Sequence, residues 1–288
     1  MLTPEQIEQY YAQGYLVVEN VITPEELSQL KDEIEAWIEE SKQHTEAWGE
    51  TLDGRSRFDI DPKDHNAEYP SLRRIASPTE ISNKFYNAAI NSRIAKMASQ
   101  LIGHSGTCLH HSKINAKLPH TTIMVKWHQD FPFTPQTNDD MLTALLMIGD
   151  VTLDNGPLQV VPGSHKGELF SHWENDKFVG KISSDIENKH CQKFESCIGS
   201  AGTVCFMHTR LLHSSGPNIS ELPRYLFIAV YNAEDAYPLT ANPLPSIHER
   251  TLVDGQITGI VRLTSNELKL PEIPKGASFF TQQEVAQA

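Results

Sequence analysis

Residues 123–133, with the sequence IMVKWHQDFPF, combine an apolar strand pattern with two side chains that can bind a metal ion. Positions i and i+2 of an extended chain point to the same side, so His128 and Asp130 can hold one ion together. The Phe131-Pro132-Phe133 segment that follows would shield this ion from water. Because so short a motif also arises by chance, the interpretation requires a third ligand elsewhere in the chain.

His213 is the expected third ligand, since it follows the apolar segment 204–212 and precedes a Ser-Ser-Gly-Pro turn. Two histidines and one carboxylate form the facial triad of non-haem Fe(II) sites, which leaves coordination positions open. Arg224 follows eleven residues later and opens the apolar strand 225–230. A buried guanidinium requires an anion, and a dicarboxylate could provide it through two parallel hydrogen bonds. Taken singly, Arg224 also fits a salt bridge, and His213 also fits a structural histidine.

The predicted elements are helices first and short strands afterwards. Thr3 and Thr23 each precede a proline and lie three residues before a Gln or Glu, which is typical of a capped helix start. Residues 81–101 are also predicted to be helical, and residues 46–70 to form a long surface loop. This order favours a β-sandwich or barrel core braced by helices. The predicted strands of that core are 123–128, 142–152, 158–161, 202–207 and 224–231.

The composition excludes several classes of protein. With 24 basic and 37 acidic side chains the net charge is −13, so nucleic acid is not an expected partner. The longest apolar stretches, such as residues 144–148, are too short to span a membrane, and residues 1–11 do not resemble a secretory signal. The four cysteines include no CxxC pair, which favours reduced thiols in a cytoplasmic protein. We therefore expect a cytoplasmic location, with no nucleic-acid or membrane partner.

Several motifs carry a resemblance to a known family. They are YYAQGYLVVENVITPEEL at residues 10–27, WHQD at 127–130, DNGPLQVVPGSHKG at 154–167 and HSSG at 213–216, followed by Arg224. Together they resemble the phytanoyl-CoA dioxygenase-like (PhyH) branch of the Fe(II)/2-oxoglutarate-dependent oxygenases over most of residues 6–231.

The resemblance implies three iron ligands, two residues at the distal carboxylate of 2-oxoglutarate, and two more that line the co-substrate pocket. In that order they are His128, Asp130 and His213; Arg224 and Ser215; and Asn115 and Thr143. It further implies that O2 is the second co-substrate and that an aliphatic C–H bond of a small metabolite is hydroxylated or otherwise oxidised, with release of succinate and CO2. Asn115 and Thr143 are equally compatible with a turn amide and a strand hydroxyl.

The family fold is a mainly β double-stranded β-helix, a cupin-like jelly roll with flanking N-terminal helices. On this basis we expect one oxygenase domain over residues 1–288. Its parts would be a helical support over about 1–103, a jelly-roll core over about 104–235 and a C-terminal extension over about 236–288. The insertion at about 163–195 and the loop 46–70 are candidate lids, because long loops on a rigid scaffold often determine selectivity.

The chain departs from the family pattern at two places. Phytanoyl-CoA hydroxylases carry a tryptophan where this chain has Leu145 and Leu146, and the usual Lys-Pro-Pro-Gly is replaced by the sequence at 117–120. Both departures disfavour a long-chain acyl-CoA substrate. Two other classes of function remain open: a cupin-like isomerase or hydrolase whose metal needs no 2-oxoglutarate, and a non-catalytic ligand-binding relative.

Overall fold

The computed structural model describes residues 1–119 and 122–264 and begins with two capped helices, as the sequence predicts. In both, the capping threonine accepts a hydrogen bond from the backbone N–H three residues later, and the Gln or Glu there bonds back. The first helix ends at Gly14, whose φ of 80° is the left-handed conformation that glycine adopts without strain. The helices are α1 (Pro4–Gln13), α2 (Pro24–Ser41), α3 (Asn83–Ile90), α4 (Arg93–Ile102) and α5 (Ser184–His190).

The predicted helix over 81–101 is divided into α3 and α4. The break lies at Asn91 and Ser92, and the Ser92 hydroxyl accepts hydrogen bonds from the backbone N–H groups of Ile94 and Ala95. A new helix therefore begins where the sequence pattern suggests continuity.

Fourteen strands are found in the described residues. They are β1 (Tyr15–Val18), β2 (Phe58–Ile60), β3 (Leu72–Ala76), β4 (Gly106–Lys117), β5 (Val125–His128), β6 (Met141–Met147), β7 (Leu158–Val160), β8 (Trp173–Glu174), β9 (Lys177–Phe178), β10 (Glu195–Cys197), β11 (Val204–His208), β12 (His213–Ser215), β13 (Arg224–Ala233) and β14 (Leu252–Gly255).

The strands form two antiparallel sheets and a small hairpin. The larger sheet has the order β1-β11-β6-β13-β4-β3-β2, with β14 also paired to β4. The smaller sheet has the order β10-β7-β12-β5, and β8 pairs with β9. The central strands of both sheets pair with strands that are not their neighbours in sequence, so contacts between distant parts of the chain hold each sheet together.

The larger sheet is buried on both faces. Along β13, Tyr225 and Phe227 belong to one apolar cluster with the helices, whereas Leu226, Ile228 and Val230 belong to a second cluster that includes strands of the smaller sheet. All ten residues of β13 are consequently buried. Double burial explains why this antiparallel strand is a continuous apolar run and does not alternate with polar residues.

Two segments of the N-terminal third differ from the prediction. The predicted loop 46–70 contains β2, whose three residues are buried. Strand β3 was not predicted, because the adjacent charges of Arg73 and Arg74 conceal its apolar pattern. With β1, these strands extend the larger sheet at both edges, so the N-terminal third supplies strands as well as helices.

Two further sequence expectations can be compared with the structure. No helix among the described residues is both long and apolar enough to cross a membrane. The four cysteines are free and buried, although the sulfur atoms of Cys197 and Cys205 are 3.7 Å apart. The part of the predicted C-terminal extension after residue 264, and His120 of the departing motif, lie outside the described residues.

Candidate active site

The three predicted metal ligands converge at the edge of the smaller sheet. His128 ends β5 and His213 begins β12, and the two strands pair so that these histidines lie opposite each other. The Nε2 atoms of His128 and His213 are 3.4 and 3.5 Å from the same Oδ1 atom of Asp130. All three ligand atoms lie within 4.8 Å of one another, which is close enough to bind one metal ion.

Backbone contacts orient both histidine rings. Nδ1 of His128 lies 2.8 Å from the carbonyl oxygen of Lys126, and Nδ1 of His213 lies 2.9 Å from that of Leu211. A carbonyl oxygen can only accept, so each Nδ1 donates its proton to the backbone, and Nε2 is the ring nitrogen left to bind a metal. Burial and the neighbouring His128 lower the pKa of His213 to about 4, so its ring is neutral at physiological pH.

Asp130 is held as an ionised carboxylate. Burial would raise its pKa, but His213, His128 and Lys113 outweigh burial and keep the pKa well below its ordinary value. The Thr143 hydroxyl donates a hydrogen bond of 3.0 Å to Oδ2 of Asp130. Thr143 thus fixes the orientation of the carboxylate. It also lines the cavity, where the sequence analysis expected it to lie.

Arg224 is a buried cation without an acidic partner. Only 3% of the residue is exposed, and one guanidinium N–H donates to the Gly156 carbonyl at 3.1 Å. Its Nε atom has no hydrogen-bond partner, and no carboxylate of the described residues forms an ion pair with it. Burial lowers the pKa of Arg224 to about 9. The salt-bridge interpretation that the sequence allowed is therefore not what the described residues show.

Lys117 connects Arg224 with Ser215. The sequence analysis did not single out Lys117 as functional. Lys117 is opposite Arg224 in the pairing of β4 with β13. Its ammonium donates to the Ser215 hydroxyl at 2.8 Å, to the Ser215 carbonyl at 3.3 Å and to the Gly216 carbonyl. Lys117 therefore positions the turn that carries Ser215.

Asn115 lies within β4, two residues before its end, and not in a turn. Its Oδ1 atom is buried without a hydrogen-bond partner. A buried amide oxygen without a partner costs free energy, so this atom is available to a donor that enters the cavity.

One cavity between the two sheets is bordered by all seven predicted site residues. Its apolar wall consists of side chains on the inner face of the larger sheet together with Leu158 of the smaller sheet. These are Leu145, Leu158, Met207, Leu226, Ile228 and Val230. The structure thus places the candidate metal ligands, Arg224, Ser215, Asn115 and Thr143 around a common space.

The two predicted lids differ in their relation to this cavity. Arg55 of loop 46–70 borders it, together with Pro243 and Leu244, and Arg55 donates to the Pro243 carbonyl at 2.5 Å. No residue of 163–195 lines the cavity. That insertion instead contacts the metal-binding segment at Gln129.

Gln129 connects the insertion to the metal-binding segment. Its side-chain NH2 donates to the carbonyls of Glu168 at 3.1 Å and Arg210 at 2.7 Å, and its oxygen accepts from the Phe170 N–H at 2.9 Å. Its backbone N–H donates to Nε2 of His172 at 3.0 Å. The insertion therefore supports the position of the two neighbouring ligands.

Further charged residues that the sequence analysis missed also border the cavity. They are His111, Lys113 and Lys117, which alternate along β4 with the predicted Asn115, and Arg74, which lies beside them on β3. Their i, i+2 spacing is the signal that could have identified them, since alternate residues of a strand share a face.

Comparison with known proteins places the chain in a family. The sequence profile of the phytanoyl-CoA dioxygenase (PhyH) family matches residues 10–225. A probable alpha-ketoglutarate-dependent hypophosphite dioxygenase of Stutzerimonas stutzeri is 31% identical over 273 residues, which cover 93% of this chain and 91% of that protein. An ectoine dioxygenase of Sphingopyxis alaskensis is 26% identical over 237 residues, which cover 76% of this chain and 72% of that protein.

Solved structures share the fold. The apoform of EctD from S. alaskensis aligns with a TM-score of 0.69 and 20% identity, over 88% of this chain and 87% of that one. The non-haem alpha-ketoglutarate-dependent carbocyclase SnoK aligns with a TM-score of 0.65 and 21% identity, over 89% of this chain and 95% of that one. The predicted mainly β jelly roll is confirmed.

The predicted enzyme class and cofactors are confirmed as well: the chain is a non-haem dioxygenase that uses iron and 2-oxoglutarate. The family profile spans well over half of the chain, and the hypophosphite dioxygenase relative matches nearly its full length. The chain therefore belongs to the phytanoyl-CoA dioxygenase (PhyH) family.

Proposed function

We propose that His128, Asp130 and His213 bind the iron, and that Arg224 and Ser215 bind the distal carboxylate of 2-oxoglutarate. The observation that carries this assignment is the position of the unpaired guanidinium of Arg224 on the same cavity as the three ligand atoms. A doubly negative co-substrate would supply the acidic partner that this buried cation lacks.

The residues present fit both groups. Two imidazole nitrogens and one carboxylate are the donor set expected for non-haem Fe(II), and the three ligand atoms lie within 4.8 Å of one another. The Nε atom of Arg224, which has no hydrogen-bond partner, and the Ser215 hydroxyl fit a carboxylate. On the same wall, Oδ1 of Asn115 also has no partner and can accept a further hydrogen bond. Bound iron supplies the activation of O2 for substrate oxidation, with succinate and CO2 as the products of 2-oxoglutarate.

The chain's own residues would orient and enclose these groups. Thr143 fixes the Asp130 carboxylate, the carbonyls of Lys126 and Leu211 fix the two imidazoles, and Lys117 fixes the turn at Ser215. The apolar wall around Leu226 and Ile228 excludes water from the space beside the metal ligands. Such preorganisation removes the cost of rearranging ligands during the reaction.

A small polar molecule is the substrate class that we propose in place of an acyl-CoA. The hypophosphite dioxygenase relative acts on a small oxyanion, and this chain departs from phytanoyl-CoA hydroxylases at Leu145. Leu145 itself belongs to the cavity wall. We also propose a single oxygenase domain, and a cytoplasmic location on the basis of four unpaired cysteines, two of which lie close together without a disulfide.

The test is an anaerobic titration of the metal-free protein with Fe(II) and then 2-oxoglutarate, followed through the visible metal-to-ligand charge-transfer band. We expect the band in the wild-type protein, a weaker band at equal 2-oxoglutarate in Arg224→Ala, and none in His213→Ala. Iron binding without a band would contradict the assignment of the 2-oxoglutarate site. Absence of iron binding would contradict the assignment of the three metal ligands.

A further inference from the structure

Two cations of the cavity, one buried and one half-buried, are not used by the proposed function. Arg74 lies on β3 and is only 8% exposed, and Lys113 lies on β4. Both border the same cavity as the candidate metal ligands. Within residues 1–119 and 122–264 neither side chain forms a hydrogen bond or an ion pair, and Nε of Arg74 is fully buried without a partner.

The nearest acidic groups are already engaged. Asp59 pairs with Arg74 in the register of β2 and β3, but its carboxylate bonds Arg73 at 2.7 Å. Asp130 attracts Lys113, but its two oxygens face the candidate iron ligands and Thr143. Neither carboxylate therefore neutralises the two cations by direct contact.

The two cations are placed to act together. In the pairing of β3 with β4, Arg74 is opposite Asn115 and Ala76 is opposite Lys113, so Arg74 and Lys113 occupy diagonal positions. Diagonal side chains on one face are about 7–8 Å apart at the backbone, within the joint reach of long side chains. Burial lowers the pKa of Arg74 to about 10 and that of Lys113 to about 8, so both remain charged near neutral pH.

The cofactors would not remove this positive charge. Iron(II) carries two positive charges and 2-oxoglutarate carries two negative charges, so the two groups cancel. The cavity wall then still has more cations than carboxylates, because Asp130 is the one acidic residue that borders it in the described part of the chain. A buried charge without a partner is costly, and this cost is recovered when an anion binds.

We propose that the primary substrate is a small anion, and that Arg74 and Lys113 bind its carboxylate, phosphinate or phosphonate oxygens. This proposal rests on the proposed function, which assigns Arg224 to 2-oxoglutarate. The guanidinium offers a planar pair of donors and the ammonium a single point charge, a combination that suits an oxyanion with two or three oxygens. The remaining part of the substrate would lie toward the apolar wall and the metal ligands.

The test uses the full-length protein loaded anaerobically with Fe(II) and 2-oxoglutarate. Hypophosphite, methylphosphonate and acetate are titrated calorimetrically, with acetamide as the neutral counterpart of acetate. The variants are Arg74→Gln and Lys113→Gln, and the matched control is Arg73→Gln, the adjacent strand residue whose guanidinium bonds Asp59 outside the cavity. The charge-transfer band is recorded for every variant before the titration.

We expect at least one anion of the panel to bind the wild-type protein, and acetamide not to bind. Each of Arg74→Gln and Lys113→Gln should raise the dissociation constant of that anion at least tenfold while the charge-transfer band persists, and Arg73→Gln should leave the constant within twofold. Having two variants on separate strands keeps the test decisive if one of them fails to fold.

Three results would overturn the proposal. They are binding of no anion, equal binding of acetate and acetamide, and unchanged anion affinity in both cavity variants. Loss of the band in an Arg74→Gln variant that still folds and binds iron would also overturn it, because Arg74 would then bind 2-oxoglutarate. A wild-type protein without a band would instead refute the proposed function on which the inference rests.

Discussion

Replacing Arg224 by methionine should make the metal-free protein more stable and its 2-oxoglutarate binding weaker. Burial lowers the pKa of Arg224 to about 9, and at 1.36 kcal/mol per pH unit this corresponds to a cost of roughly 4–5 kcal/mol in the folded state. Since the pKa is lowered, the cost is present in full below about pH 9 and declines as the pH rises above that value. Methionine fills similar space without a charge.

The expected net gain is smaller than this cost. The variant loses the hydrogen bond from Arg224 to the Gly156 carbonyl, which contributes about 1 kcal/mol. We therefore expect the free energy of unfolding of the metal-free protein to rise by about 3 kcal/mol at pH 7. Loss of a buried charge-assisted pair costs about 2–5 kcal/mol in binding. The dissociation constant of 2-oxoglutarate should accordingly rise roughly thirty- to several-thousand-fold.

Urea unfolding of the metal-free protein and the anaerobic charge-transfer titration measure the two effects separately. Arg57 provides a matched control, because it is similarly buried but pairs with Glu80 at 2.6 Å and lies outside the cavity. Arg57→Met should lower stability and leave 2-oxoglutarate affinity unchanged. Two results would refute this reasoning: a loss of stability in Arg224→Met like that in Arg57→Met, or a wild-type affinity of Arg224→Met for 2-oxoglutarate. Arg224 would then not be a cation without an acidic partner that binds the co-substrate.

Three further predictions concern the support of the site and the stability of the fold. Thr143→Val removes the hydrogen bond to Asp130 and should weaken iron binding roughly 10- to 100-fold in a chelator competition assay; unchanged affinity would contradict the orienting role. His110 is buried with its pKa lowered to about 4, so protonation of the unfolded chain should remove about 2 kcal/mol of stability between pH 7 and pH 5. His110→Asn should flatten that part of the urea-unfolding profile, and a profile parallel to the wild-type one would refute this origin. Gln129→Met leaves two carbonyls and one N–H without partners and should lower the free energy of unfolding by about 2–4 kcal/mol. Gln159 is half-buried, so Gln159→Met should lower it by less than about 1 kcal/mol. Equal losses of stability in the two variants would contradict the supporting role of Gln129.

The group of candidate metal ligands could be predicted because its signals are local. His128 and Asp130 share a face through their spacing alone, and His213 stands at the end of a recognisable apolar strand. The capped starts at Thr3 and Thr23 are equally local and are found as predicted. Local rules succeed where neighbouring residues decide the conformation.

The missed features depend on contacts between distant parts of the chain. Strand β3 contains Arg73 and Arg74, and charged pairs are more often found on exposed surfaces. Its burial results from pairing with β4, about forty residues away, and from the ion pair of Arg73 with Asp59. The contacts of the 163–195 insertion were missed for the same reason, since only the folded structure shows that Gln129 links it to the metal-binding segment.

Net charge is a poor guide to this cavity because it averages the surface with the interior. A chain with a net charge of −13 gives no reason to expect a site for anions. Yet Arg74, Lys113, Lys117 and Arg224 all face the space between the sheets, and Asp130 is the one carboxylate among the described residues that border it. Charges buried in a medium of low polarity act more strongly than exposed charges, which solvent screens. These interior basic side chains therefore favour the binding of anions, while the surplus of acidic residues governs solubility and long-range repulsion. A fold that keeps several of these cations unpaired gives up stability in the absence of ligands, and the binding of anions restores it.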